Sequence, residues 1–171
     1  MKNLLLVLAC TIIGAATGAG QSVNVSSQNP LAPSIAFPAD QQLIQTIRSA
    51  PEAEPGRPGL YFIDISTTSD YQIVGIRRTR TGKSELHAGV TDVWYVLQGA
   101  ATLVCGGTLT DSVEVQSGEF RGSGVNGGAK RVLHTGDFAV IPPGIAHWAS
   151  RIKGKEFMYI VVKIPAAKKQ Q

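Results

Sequence analysis

The chain has 171 residues, 43% of them hydrophobic and 16% charged, with 19 glycines and a formal net charge of +4. That length closes one hydrophobic core and argues against a second domain, and the glycine content points to a turn-rich body of short strands. The basic residues are scattered in short clusters such as Lys168 and Lys169; lacking a basic stripe with aromatic stacking partners, the composition excludes nucleic acid as an expected partner.

The chain opens "MKNLLLVLACTIIGAATGAGQS", with a single lysine, an apolar run from Leu4 to Ile13 and small residues through Gly20. Residues 1–20 read as a secretory signal peptide cleaved between Gly18 and Gln21, because the run is too short and its end too glycine-rich for a bilayer span. The expected product is secreted or periplasmic and keeps no stable membrane span. Cleavage also leaves Cys105 as its only thiol, which excludes an intrachain disulfide.

Residues 21–58 read as a flexible arm followed by a short helix. From Ser22 to Pro38 the sequence is polar and punctuated by proline, with no period of either kind. Asp40 is a plausible cap for a helix whose Leu43, Ile44 and Ile47 fall on one face before Pro51 stops it. "PEAEPGRPG", residues 51–59, is a turn-rich connector.

Residues 59–166 read as one domain of strands and turns. Strands are expected at Leu60 to Ile65, Tyr71 to Arg78, Ser84 to His87, Val93 to Leu97 and Ala101 to Cys105. After a looser region come Lys130 to Leu133, Phe138 to Ile141, Ile145 to Ala149 and Phe157 to Ile164. Short strands at this spacing, with no helical pattern between them, predict an all-β antiparallel sandwich or barrel.

Two stretches carry candidate chemistry. In "GDFAVIPPGIAHW", residues 136–148, Pro142, Pro143 and Gly144 force a rigid bend just before His147. An imidazole held by such a turn has the fixed aim that a metal ligand requires. In "GKSELHAGVTDVWYVLQG", residues 82–99, Glu85 and His87 are two apart and share a strand face. Asp92 follows a turn at Ala88-Gly89 and can return to face the same cavity. Two neutral imidazoles with one or two carboxylates make a mixed nitrogen and oxygen site suited to a divalent transition metal: Mn, Fe, Ni or Zn. Glu85 reads equally well as a ligand, as a partner of a nearby Arg or Lys, or as a solvent-facing residue.

Together the two stretches resemble the signature motifs of the cupin superfamily, over residues 70–164. The second motif, G-x5-P-x-G-x2-H-x3-N, is matched at every spacing by Gly136, Pro142, Gly144 and His147, with Arg151 where asparagine is usual. In the first, G-x5-H-x-H-x3,4-E-x6-G, His87 matches the second histidine and Gly99 the closing glycine. Glu85 stands for the first histidine, Asp92 for the glutamate and Thr79 for the opening glycine.

The resemblance implies a jelly-roll β-barrel, with the short helix ahead of it, and a metal held by Glu85, His87, Asp92 and His147. Exchanging one imidazole for a carboxylate shifts such a site toward harder cations. Trp94 has the parity of Asp92 and is expected to line the cavity; Tyr159 and Arg77 are further cavity candidates whose faces the sequence does not fix. Two functions are consistent with the resemblance, and the fold does not choose between them. One is a metal-dependent enzyme acting on a small oxygenated molecule, with Glu85 or Asp92 as a base. The other is a noncatalytic protein binding a small, sugar-like molecule. A homodimer is a common assembly in that superfamily.

Other matches lead elsewhere. "GSGVNG", residues 122–127, fits G-x-G-x-x-G, but no helical pattern follows it, so it reads as a flexible loop or lid. Cys105 has no activating partner in sequence, and no G-x-S-x-G elbow is present. His134 reads as a surface or turn residue.

Overall fold

A computed structural model describes residues 40–53 and 57–167; the expected signal peptide and arm lie outside the described residues. Among the described residues, no helix is long and apolar enough to cross a membrane. Helix α1 (Asp40–Arg48) precedes eleven strands: β1 (Leu60–Thr67), β2 (Gln72–Arg78), β3 (Ser84–His87), β4 (Val90–Cys105), β5 (Thr108–Thr110), β6 (Val113–Gln116), β7 (Glu119–Gly122), β8 (Gly124–Asn126), β9 (Ala129–His134), β10 (Phe138–Ile141) and β11 (His147–Pro165).

Two long strands organise the fold. β4 and β11 pair antiparallel from Val90↔Pro165 to Cys105↔His147. Toward the first end they are flanked by β2 and β10, giving the order β2-β11-β4-β10, with β1 outside β2. Toward the other end they are flanked by β3 and β9, giving β3-β11-β4-β9, with β7 and β6 beyond β3. Two four-stranded sheets that share two bent strands and face each other make a jelly roll.

The corner between the sheets is built into the pairing. Residues 154–156 find no partner as the register passes from Lys153↔Ala100 to Phe157↔Gly99. Gly99 has a φ of 84°, and a Cβ there would collide with the Glu156 carbonyl oxygen. Only glycine fits that corner without strain. The bend also resets which positions face inward: Trp94 and Val96 before it, Ala101 and Leu103 after it. They pack with Leu133, Ile141, Ala149, Phe157, Tyr159 and Val161 into the core between the sheets.

Helix α1 covers the outer face of the first sheet. Leu43 and Ile47 pack on Met158 with Ile63, Ile65, Leu97 and Ile160 around them. Gly75 makes the approach close enough: a Cβ there would lie 2.5 Å from Ile47 Cγ1. Burying each of these helix side chains contributes about 1.5–3 kcal/mol, more than so short a helix gains from its own hydrogen bonds.

Three expectations are revised. The segments at 93–97 and 101–105 are one continuous β4, because pairing with β11 carries through the bend. Likewise Phe157 to Ile164 belongs to one long β11 that starts at His147, after a turn that leaves Ile145 outside the strand. The stretch "GSGVNG" is not a loose lid. Gly124–Asn126 forms β8 and pairs with β5 through Thr108↔Asn126, Leu109↔Val125 and Thr110↔Gly124.

Candidate metal centre

Four cross-strand pairs assemble the centre: His87↔Glu119 and Glu85↔Arg121 between β3 and β7, Glu85↔His147 between β3 and β11, and Lys163↔Asp92 between β11 and β4. Directly opposed residues on neighbouring strands have Cβ atoms about 5 Å apart, within side-chain reach. The bend at Pro142-Pro143-Gly144 is itself tied to the first stretch, since the Gly144 N–H donates to the His87 carbonyl at 2.8 Å. This bond brings the two motifs, distant in sequence, to one place.

Both imidazoles have their outer nitrogen engaged by a group that only accepts. His87 Nδ1 lies 2.6 Å from Glu119 Oε2, and His147 Nδ1 lies 3.0 Å from the Ile145 carbonyl. Each Nδ1 therefore carries the proton, and each Nε2 turns a lone pair inward. The rings sit 5.2 Å apart between centroids. His147 is buried, and its Nε2 has no hydrogen-bond partner. Burial holds its pKa below the ordinary histidine value, against the opposing pull of Glu85, the Ile145 carbonyl and Asp92, so the ring is neutral at pH 7.

Carboxylates complete the set. Glu85 Oε2 is 3.7 Å from His87 Nε2, and Asp92 Oδ2 is 3.5 Å from His87 Nε2 and 3.7 Å from His147 Nε2. Ligand atoms of Glu85, His87 and His147 all lie within 4.8 Å of one another. The other Glu85 oxygen, Oε1, accepts from Arg57 Nη2 at 2.8 Å and Arg78 Nη2 at 3.2 Å. Of the readings of Glu85, the arginine pairing is present at Oε1, while Oε2 faces the imidazole of His87. Burial opposes its charge, yet Arg78, Arg121 and Arg57 outweigh burial and hold it far below the usual carboxylate range. Asp92 is likewise penalised by burial and brought down to about 2 by His87 and the Lys163 ammonium.

The centre opens into a cavity of about 430 Å³. Trp94 lines it, 3% exposed, with its ring edge-on to His147 at 5.9 Å and its Nε1 3.4 Å from Asp92 Oδ2. Tyr159 also faces the cavity, and its hydroxyl accepts from Arg78 Nε at 2.8 Å. Arg77 does not: its guanidinium stacks over the Tyr61 ring at 3.7 Å, and its neighbour Arg78 takes the inward place. Trp148 points away and donates to the Gly82 carbonyl. His134 is exposed at the surface, and Cys105 is a half-buried thiol whose pKa burial pushes up.

The expected site omitted Arg57, Arg78, Glu119, Arg121 and Lys163. Lys163 carried a usable signal, since Tyr159, Val161 and Lys163 alternate along one face of a strand already expected there. Glu119 and Arg121 carried none, because they lie on strands in a region that showed no period.

No protein-family model and no curated protein matches the sequence. Solved structures do. An uncharacterized conserved protein with a double-stranded β-helix domain from Klebsiella pneumoniae subsp. pneumoniae MGH 78578 is 18% identical, with a TM-score of 0.51, over 84% of this chain and 93% of that one. KdgF from Halomonas sp. is 21% identical with a TM-score of 0.48, over 67% and 87% of the two chains. Pac13 from Streptomyces, solved with uridine and described as a nucleoside dehydratase, is 11% identical with a TM-score of 0.45, over 72% and 82%. The likeness to the Klebsiella protein, over most of both chains, leads to one conclusion: this chain has the double-stranded β-helix fold.

Proposed function

We propose that the protein is an exported, single-domain cupin that holds one divalent transition metal ion, Mn, Fe, Ni or Zn, and presents it to a small oxygenated molecule in the cavity. The observation that carries this reading is the buried, unpartnered Nε2 of His147, aimed at the same point as the inward lone pair of His87. A buried polar atom without a partner costs about 1–3 kcal/mol, and an ion between the two rings would remove that cost. The residues present fit the group: two imidazoles whose outer nitrogens are each engaged by an acceptor, Glu85 Oε2 and Asp92 Oδ2. Export is supported by the apolar segment within residues 1–20.

A bound ion supplies a Lewis acid for an oxygen of the ligand. The chain does the rest. Glu119 keeps the proton on the outer nitrogen of His87, and Arg57 and Arg78 keep Glu85 ionised. Trp94 and Tyr159 give the cavity its aromatic wall. Held below the ordinary carboxylate range, Glu85 and Asp92 supply fixed negative charge at the centre, not a base poised near neutral pH.

Elemental analysis of protein purified without an affinity tag tests the reading. About one transition-metal ion per chain is expected, and none in the double variant His87→Ala, His147→Ala. Wild-type protein that stays metal-free after exposure to Mn, Fe, Ni and Zn would overturn it in favour of a noncatalytic cavity. That second reading is favoured by one feature, the Lys163 ammonium, which already places a positive charge beside Asp92 and His87.

A further inference from the structure

We infer that Lys163 is a tethered cation that competes with the metal ion for the centre and so sets how tightly, and which, ions are held. This rests on the metal reading above. Lys163 Nζ lies 2.9 Å from Asp92 Oδ1 and 3.2 Å from His87 Nε2. Because the His87 Nδ1–H donates to Glu119, the Nε2 atom is left to offer a lone pair, and the ammonium donates into it. One lone pair cannot serve an N–H donor and a metal ion together. Any ion coordinated by His87 has to move the ammonium off.

The geometry makes that exchange local. Lys163 is rooted on β11 directly opposite Asp92, and its flexible stem lines the cavity. Its side chain is 26% exposed, so the head group can swing into the cavity with no change in the sheet. Asp92 can keep the ammonium on Oδ1 while Oδ2 remains turned toward both imidazoles. The other inward cations are occupied elsewhere: Arg57 and Arg78 on Glu85, Arg121 on Glu119.

Displacing Lys163 costs the same whatever ion arrives, so it lowers every ion's affinity by a similar factor. An ion that such nitrogen and oxygen ligands hold weakly, such as Mn²⁺, then falls below saturation at concentrations where Zn²⁺ still saturates. Lys163 is thus a specificity determinant by threshold and not by shape.

The test is chelator competition with Zn²⁺ and with Mn²⁺ on wild type, Lys163→Met and Lys163→Gln. Both variants are expected to bind both ions more tightly by a similar factor, about tenfold or more. Thermal unfolding of chelator-treated Lys163→Met should shift down, because Asp92 loses its cation. A residue with only a structural role would lower that unfolding temperature and leave both affinities unchanged, which overturns the inference. Lys163→Gln keeps a donor for Asp92 without the charge, so it reports on the competition even where Lys163→Met fails to fold. If wild type binds and neither variant binds more tightly, the inference alone fails. If no protein in the set binds either ion, the metal reading fails and takes the inference with it.

Discussion

The two ends of the barrel follow one rule and reach opposite results. Around the Gly99 corner, β4 and β11 turn Val96, Ala101, Leu103 and Phe157 inward, and these pack with Leu133 and Ala149 into an apolar core. Toward the far ends of the same strands, Asp92 and Lys163 before the corner and His147 beyond it turn inward at the centre and its cavity of about 430 Å³. Alternation decides which positions face the interior in both halves. The kind of side chain then decides whether the space is filled or kept for a ligand.

That contrast can be broken or sharpened by mutation. The largest effect is expected at the packed end, where Phe157→Ala removes a fully buried ring and costs about 3–5 kcal/mol in denaturant unfolding. Metal binding should be unchanged; a loss under about 1 kcal/mol would mean that this end is no better filled than the other. Tyr159→Phe comes next, at the boundary between the ends. It removes the acceptor for the buried Arg78 Nε, which is worth up to ~3 kcal/mol, and it should also loosen the grip of Arg78 on Glu85.

At the polar end the effect depends on pH. Asp92 has a folded-state pKa of about 2 against an ordinary 3.8. Its stabilisation is therefore fully present above about pH 4 and lost as the pH falls toward 2. The amount is roughly 2 kcal/mol, read as the drop in urea midpoint across that window, and Asp92→Asn should flatten it. The smallest effect is expected outside the barrel, where Phe138 is 61% exposed opposite the exposed Tyr95. Phe138→Thr should stay within about 0.5 kcal/mol; a larger change would show that this face is covered in solution.

Much of the fold was legible because turns and alternation are local. The ends of β2, β3 and β10, and the helix with its Leu43 and Ile47 face, lie within a residue or two of where pattern reading puts them. That Glu85, His87, Asp92 and His147 come together was legible because the motif spacing stands in for a long-range contact. Arg57, Glu119 and Arg121 were not, since their part in the site depends on which strands lie side by side. That is a property of register, and the order of letters in a short window does not contain it. The unbroken course of β4 through Gly99 was hidden for a related reason. Glycine marks a break in a local reading, whereas here it permits a bend across which the strand keeps its partner.

The Glu119 carboxylate has a mechanical consequence. It rides on β7, and only the short β6 lies beyond that strand at the sheet margin, yet it dictates which nitrogen of His87 is bare. Peeling that ribbon back by a few ångströms would let the proton migrate to the inner nitrogen and shut the imidazole to any Lewis acid. A residue one strand in from the sheet margin thus governs which face of a buried ring is open.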